Sequence, residues 1–161
     1  MTWPRNPRLK KLCSYCGMAD CQNAPSWMNL ADQQRLTLLL AVLEKRAGLN
    51  LIGDDVFVNI AGGMTVDEPA SDLGVLAAIA SSVRNRVIPQ TTAMFGEVGL
   101  AGEVRGTAQA TLRVREAAQM GFRRCVMPEA NIDPADRDQR AGDCELVGVR
   151  TVGEALDALL Q

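Results

Sequence analysis

The chain contains no histidine, which removes the commonest general base at neutral pH and, with it, every serine-histidine or cysteine-histidine catalytic arrangement. Lysine is nearly as scarce. Lys10, Lys11 and Lys45 are the only ones, so a serine-lysine dyad would have to draw its base from the first third of the chain. The glycine-rich stretches AGGM and GEVGLAGEV do not match the phosphate-binding pattern G-x-x-x-x-G-K-S/T, and no lysine follows them, so no ATP site is expected. No apolar run approaches the roughly 20 residues that span a bilayer, and the opening MTWPRNPRLKKL has no apolar signal core. The expectation is a cytoplasmic protein with no membrane partner.

What the chain does have is aliphatic bulk. Hydrophobic residues make up 47%, charged residues 22% and aromatics 4% of the 161 residues, enough for one domain with a packed core. The net charge of −2 hides an asymmetry: residues 1–50 carry seven Lys or Arg against three acids, and residues 51–161 carry ten against sixteen. A mildly acidic body has no bulk attraction for nucleic acid, so contact with DNA would need a local cluster of arginines.

Residues 1–30 hold three of the five cysteines and both tryptophans. They read as a basic extension, either disordered or the remnant of a zinc finger, before a domain over residues 31–161. In that domain Leu36, Leu39, Leu40 and Leu43 recur at helical spacing, predicting a helix near 32–47 that Gly48 ends. VFVNIAGGM predicts a core strand at 56–64, and Leu73, Leu76, Ala77, Ala80 and Val83 a buried helix near 69–85. TAMFGEVGLAGEVR, 92–105, reads as a β-hairpin. A helix near 108–120 follows, with Thr107 as its N-cap, then strands at 122–128 and 145–149 flanking a polar loop. Thr151 and Glu154 form a capping box for a terminal helix. This order predicts an α/β layered domain with a mixed sheet, a hairpin and packed helices.

Candidate chemistry is sparse. Cys13-Ser14-Tyr15-Cys16 has a metal-knuckle spacing and Cys21 could add a third thiolate, but a closed zinc site needs a fourth ligand; a fragmentary cysteine cluster is the expectation. Cys125 and Cys144 fall on strands and read as small core residues. Ser71, in DEPASD, stands at a helix start with Asp67, Glu68 and Asp72, where acids are ordinary partners of the helix dipole. Arg84 and Arg86 close one helix, Arg105 ends the hairpin, and Arg113 and Arg115 lie on the next helix. They are candidates for phosphate contact, against a solvated face with pairs such as Arg113 with Glu116.

Five stretches in order, LLLAVLEKRAGLNLIGDDVFVNIAGG, DLGVLAAIASSVRNR, FGEVGLAGEVR, EAAQMGFRRCVMPEAN and GVRTVGEALDALL, resemble the C-terminal Lon-protease-like domain of the bacterial DNA-repair family RadA, also called Sms. Lon proteases carry a serine nucleophile in a Gly-Pro-Ser-Ala-Gly turn and a lysine base in the helix after the hairpin. Matching on Pro69 puts Ala70 at the serine position and counting from Gly96 puts Thr111 at the lysine position, so the resemblance implies no peptidase dyad. It implies instead a scaffold that assembles into a ring and contacts single-stranded or branched DNA, with Arg84, Arg86, Arg105 and Arg113 as the expected contacts. Partners would be further copies, a full-length RadA or a RecA-type recombinase, with no cofactor of its own. Two alternatives stand beside this: a peptidase using Ser71 with Lys45 as an unconventional base, and an adaptor or inhibitor that co-assembles with rings of full-length RadA without touching DNA.

Overall fold

The computed structural model describes residues 9–14, 30–51, 55–60, 68–133 and 140–160. In chain order they form β1 (Leu9–Ser14), α1 (Leu30–Arg46), β2 (Asp55–Ile60), a 3-10 turn (Pro69–Ser71), α2 (Asp72–Arg84), β3 (Thr92–Met94), β4 (Glu97–Val98), β5 (Val104–Arg105), α3 (Ala110–Gln119), β6 (Arg124–Pro128), β7 (Arg140–Ala141), β8 (Cys144–Val149) and α4 (Val152–Leu159). The largest sheet has strand order β3-β6-β8-β7. β3 and β8 run parallel to β6, and β7 closes the edge antiparallel to β8. β1 pairs in parallel with β2, and β4 and β5 form a short antiparallel ribbon. The protein is therefore an α/β domain with a mixed sheet.

Helices cover the sheet because its central strand is apolar on both faces, as parallel strands generally are. Val126 of β6 points into one cluster with Leu73, Leu76 and Ile79 of α2, Leu39, Val42 and Leu43 of α1, and Leu156 and Leu159 of α4. Its neighbours Cys125 and Met127 point the other way, toward Ala110 and Val114 of α3, Phe95 and Ala70. Each fully buried leucine or isoleucine contributes about 1.5–3 kcal/mol. The small residues of α2 fit this position, since Ala77 and Ala80 are fully buried.

Helix ends follow local chemistry. Gly48 has φ +64°, and beyond it the Leu49 N–H reaches the Leu43 carbonyl at 3.2 Å, the expected glycine stop. Asn85, φ 52°, ends α2 in the same way, with Arg86 N donating to Ser81 O at 3.0 Å. Two expectations need correction. The 92–105 segment is not one hairpin: β3 leaves it to pair with β6, and only β4 and β5 form the ribbon. Thr107 does not cap α3; the cap position is Gln109 in the left-handed region, with no side-chain bond. The Asn131 amide holds Thr107 instead, accepting from its N–H at 2.8 Å and donating to its carbonyl at 3.1 Å.

Candidate functional site

Ala70 lies in the 3-10 turn that leads into α2 and is 2% exposed. Its carbonyl accepts from Gly96 N at 2.7 Å, and the Gly96 carbonyl accepts from Leu73 N at 3.1 Å, so the chain entering β4 is laced to the start of α2. The methyl of Ala70 packs in the cluster of Phe95, Ala110 and Val114. Thr111, one residue past Ala110, is exposed on the first turn of α3. The two sequence-matched positions therefore flank the same junction of turn, hairpin and helix. Across that junction Arg113 Nη2 pairs with Glu68 Oε2 at 3.2 Å, and the guanidinium lies 6.0 Å from the Phe95 ring centroid.

Ser71 is turned to local use. Its hydroxyl donates to the Glu68 carbonyl at 2.7 Å, and its own N–H does so at 3.0 Å. Lys45 is exposed in the last turn of α1, and no hydrogen bond or ion pair among the described residues joins it to Ser71.

The residue that sequence reasoning misread is Asp72. Treated as an ordinary helix-start acid, it is 2% exposed. Arg35 of α1 grips its carboxylate with both arms, Nε to Oδ1 at 2.5 Å and Nη2 to Oδ2 at 2.6 Å, and Val98 N donates to Oδ2 at 3.1 Å. One carboxylate thus joins α1, α2 and β4. Such a bidentate pair is charge-assisted and geometrically specific, and it raises the pKa of Arg35 through the hydrogen bonds to Asp72. The only sequence signal for it was an acid directly against the apolar run Leu73–Leu76.

The arginines divide into two groups. Arg105 pairs with Glu103 at 2.5 Å and Glu97 at 3.6 Å, and Arg113 with Glu68. Arg86 donates to the Leu160 carbonyl at 3.0 Å, holding the end of α4. Arg84, with Arg115 and with Arg123, which the sequence reading did not single out, is exposed and enters no ion pair among the described residues. Arg123 N bonds to Thr91 O at 2.9 Å, so Arg123 sits at the same end of the sheet as the loop that follows Arg84 and Arg86.

Cys13 falls in β1, while Cys16 and Cys21 lie outside the described residues, and among the described residues no group of three or more metal-binding side chains comes together. No helix among them is long and apolar enough to cross a membrane. Cys125 and Cys144 are free and fully buried. Burial, then the neighbouring Cys144, pushes the Cys125 thiol up to about 12; burial also raises Cys144. Because the folded pKa is the higher one, the unfolded chain sheds protons first as pH rises above about 9, and stability falls from there toward 12. Urea denaturation at pH 8 and pH 10 should show this loss in the native sequence and a smaller one in Cys125→Ala. Equal losses in both would contradict the burial account.

Comparison with known proteins agrees with this architecture. Residues 49–161 match the family described as Lon protease (S16) C-terminal proteolytic domain, and the chain belongs to that family. It is also similar to proteins named DNA repair protein RadA: 45% identical over 129 residues to that of Chlamydia pneumoniae, 43% over 125 to that of Escherichia coli (strain K12) and 45% over 125 to that of Bacillus subtilis (strain 168). These alignments cover 80%, 78% and 78% of this chain but 28%, 26% and 27% of the relatives. The chain thus spans little more than a quarter of their length.

Proposed function

We propose that the chain is a non-proteolytic Lon-type domain acting in DNA repair and recombination, as an assembly scaffold that contacts DNA within a RadA-type protein. The observation that carries this is the chemistry at the matched dyad positions: a buried methyl at Ala70, closed over by Phe95, Ala110 and Val114, and a hydroxyl rather than an amine at Thr111. A methyl cannot attack a peptide carbonyl, and a threonine hydroxyl at this position is no substitute for a lysine amine as base. The similarity to proteins named for DNA repair supports the biological setting.

Phosphate contact falls first to Arg84, which enters no ion pair among the described residues, and next to Arg86 beside it. Arg105 and Arg113 can join only by leaving Glu103, Glu97 and Glu68, which makes them weaker contributors than Arg84. Further copies of the chain, a full-length RadA or a RecA-type recombinase are the partners this reading implies, with a ring as the assembly; zinc belongs to it only through Cys13, Cys16 and Cys21. Its test is the affinity of the purified chain for single-stranded and branched DNA across salt concentration. Binding whose log K falls with log salt by about 0.7–0.9 per phosphate neutralised supports it; absent or salt-insensitive binding removes the DNA-contact role and leaves the adaptor reading.

A further inference from the structure

A cleft of about 460 Å³ opens between α1 and the β4–β5 ribbon. Leu38 and Leu39 form its apolar wall, Glu97, Glu103 and Arg105 face them, and Leu100, 67% exposed, stands at the rim. Among the described residues its charges do not cancel. Arg35 is bound at both arms to Asp72, so that pair is neutral. On the other wall one guanidinium, Arg105, serves two carboxylates, Glu103 at 2.5 Å and Glu97 at 3.6 Å.

The sharing is uneven. Both Arg105 donors reach the same Glu103 oxygen, Oε1, at 3.0 and 2.5 Å, while Oε2 is shielded from solvent with no hydrogen-bond partner among the described residues. The carboxylate is held in place because it lies against Gly99, where even a Cβ would sit 2.0 Å from Oε1. Hydrogen bonds from its own backbone N–H, then from Arg105, lower the pKa of Glu103, so it is ionised at neutral pH.

We propose that this cleft receives a lysine or arginine side chain carried on an apolar segment of a protein partner. An anionic ligand would meet the uncancelled carboxylate, and a purely apolar one would bury Glu97 without a counter-charge, which is costly. A cation on an aliphatic stem satisfies both parts: the stem lies on the half-buried Leu38 and the exposed Leu100, and the head takes up the charge that Arg105 leaves on Glu97. Charge-assisted hydrogen bonds in a partly desolvated cleft are the stronger kind.

The test uses the full chain and three labelled peptides identical except at one position, Gly-Leu-Arg-Leu-Gly, Gly-Leu-Gln-Leu-Gly and Gly-Leu-Glu-Leu-Gly. The arginine peptide should bind about tenfold more tightly than the glutamine peptide, the difference one charge-assisted bond provides, and the glutamate peptide more weakly still. Methyl NMR signals of Leu38, Leu39 and Leu100 should move during the titration. The arginine preference should vanish in Glu97→Gln/Glu103→Gln, whose fold is checked by its thermal transition. If the peptides bind equally, if the arginine peptide does not bind at millimolar concentration, or if the same methyl signals move with protein concentration alone, the proposal fails; in the last case the occupant is a second copy.

Discussion

Replacing Asp72 by alanine is expected to lower unfolding free energy by about 2–3 kcal/mol. The change leaves the Val98 N–H without its acceptor at a buried site, which costs about 1–3 kcal/mol by itself, and removes both bonds from Arg35. Breaking a fully buried pair costs about 3–5 kcal/mol, but the Arg35 side chain is 41% exposed and can turn to water, which reduces the figure. For a domain of this size the loss corresponds to a Tm lower by roughly 4–12 °C. Asp72→Asn keeps an acceptor for Val98 and should lose less. A cycle with Arg35→Ala should give a coupling above about 1 kcal/mol; a coupling near zero would mean that α1 is held by its leucines alone.

Replacing Arg84 by alanine is the corresponding functional prediction. It should weaken DNA binding roughly fivefold near 0.15 M salt, with little sequence preference, and reduce the salt slope by about 1. Arg105→Ala should change affinity less than Arg84→Ala, because exposed ion pairs already occupy that guanidinium. Fluorescence anisotropy with one oligonucleotide at several salt concentrations reads both values. An Arg105→Ala effect larger than that of Arg84→Ala would reverse the assignment.

The helix positions were legible because their apolar residues recur at 3.6 spacing and ends such as Gly48 and Thr151 carry stop and cap residues; the Asn85 stop of α2 was not among the legible ends. Thr151 does cap α4, accepting from Glu154 N at 3.2 Å. Even this capping box is half of what was expected, since the Glu154 carboxylate accepts from Arg150 N rather than from Thr151 N. Periodicity could not show that Asp72 has a partner 37 residues earlier, because a buried acid and a dipole-facing acid look alike at a helix start. It could not rank the arginines either, as that depends on which glutamates the fold brings beside them. The hairpin was over-extended for the same reason: TAM alternates as well in a sheet with β6 as in a ribbon with β5, and the choice is tertiary.

The dyad positions were the reverse case. The resemblance to Lon proteases, matched on Pro69 and Gly96, implies Ala70 and Thr111 as the dyad positions, and the fold adds what surrounds them: an apolar cluster about Ala70 and the Glu68–Arg113 bridge across the junction. Ser71 stands one residue on, with its hydroxyl bonded to the Glu68 carbonyl.

Hydrolysis of casein and of a fluorogenic peptide by the purified chain, with and without single-stranded DNA, tests the central claim most directly. The account predicts no turnover above the uncatalysed rate under either condition, and no change on Ser71→Ala. Turnover that Ser71→Ala abolishes would contradict it and make the chain a working peptidase.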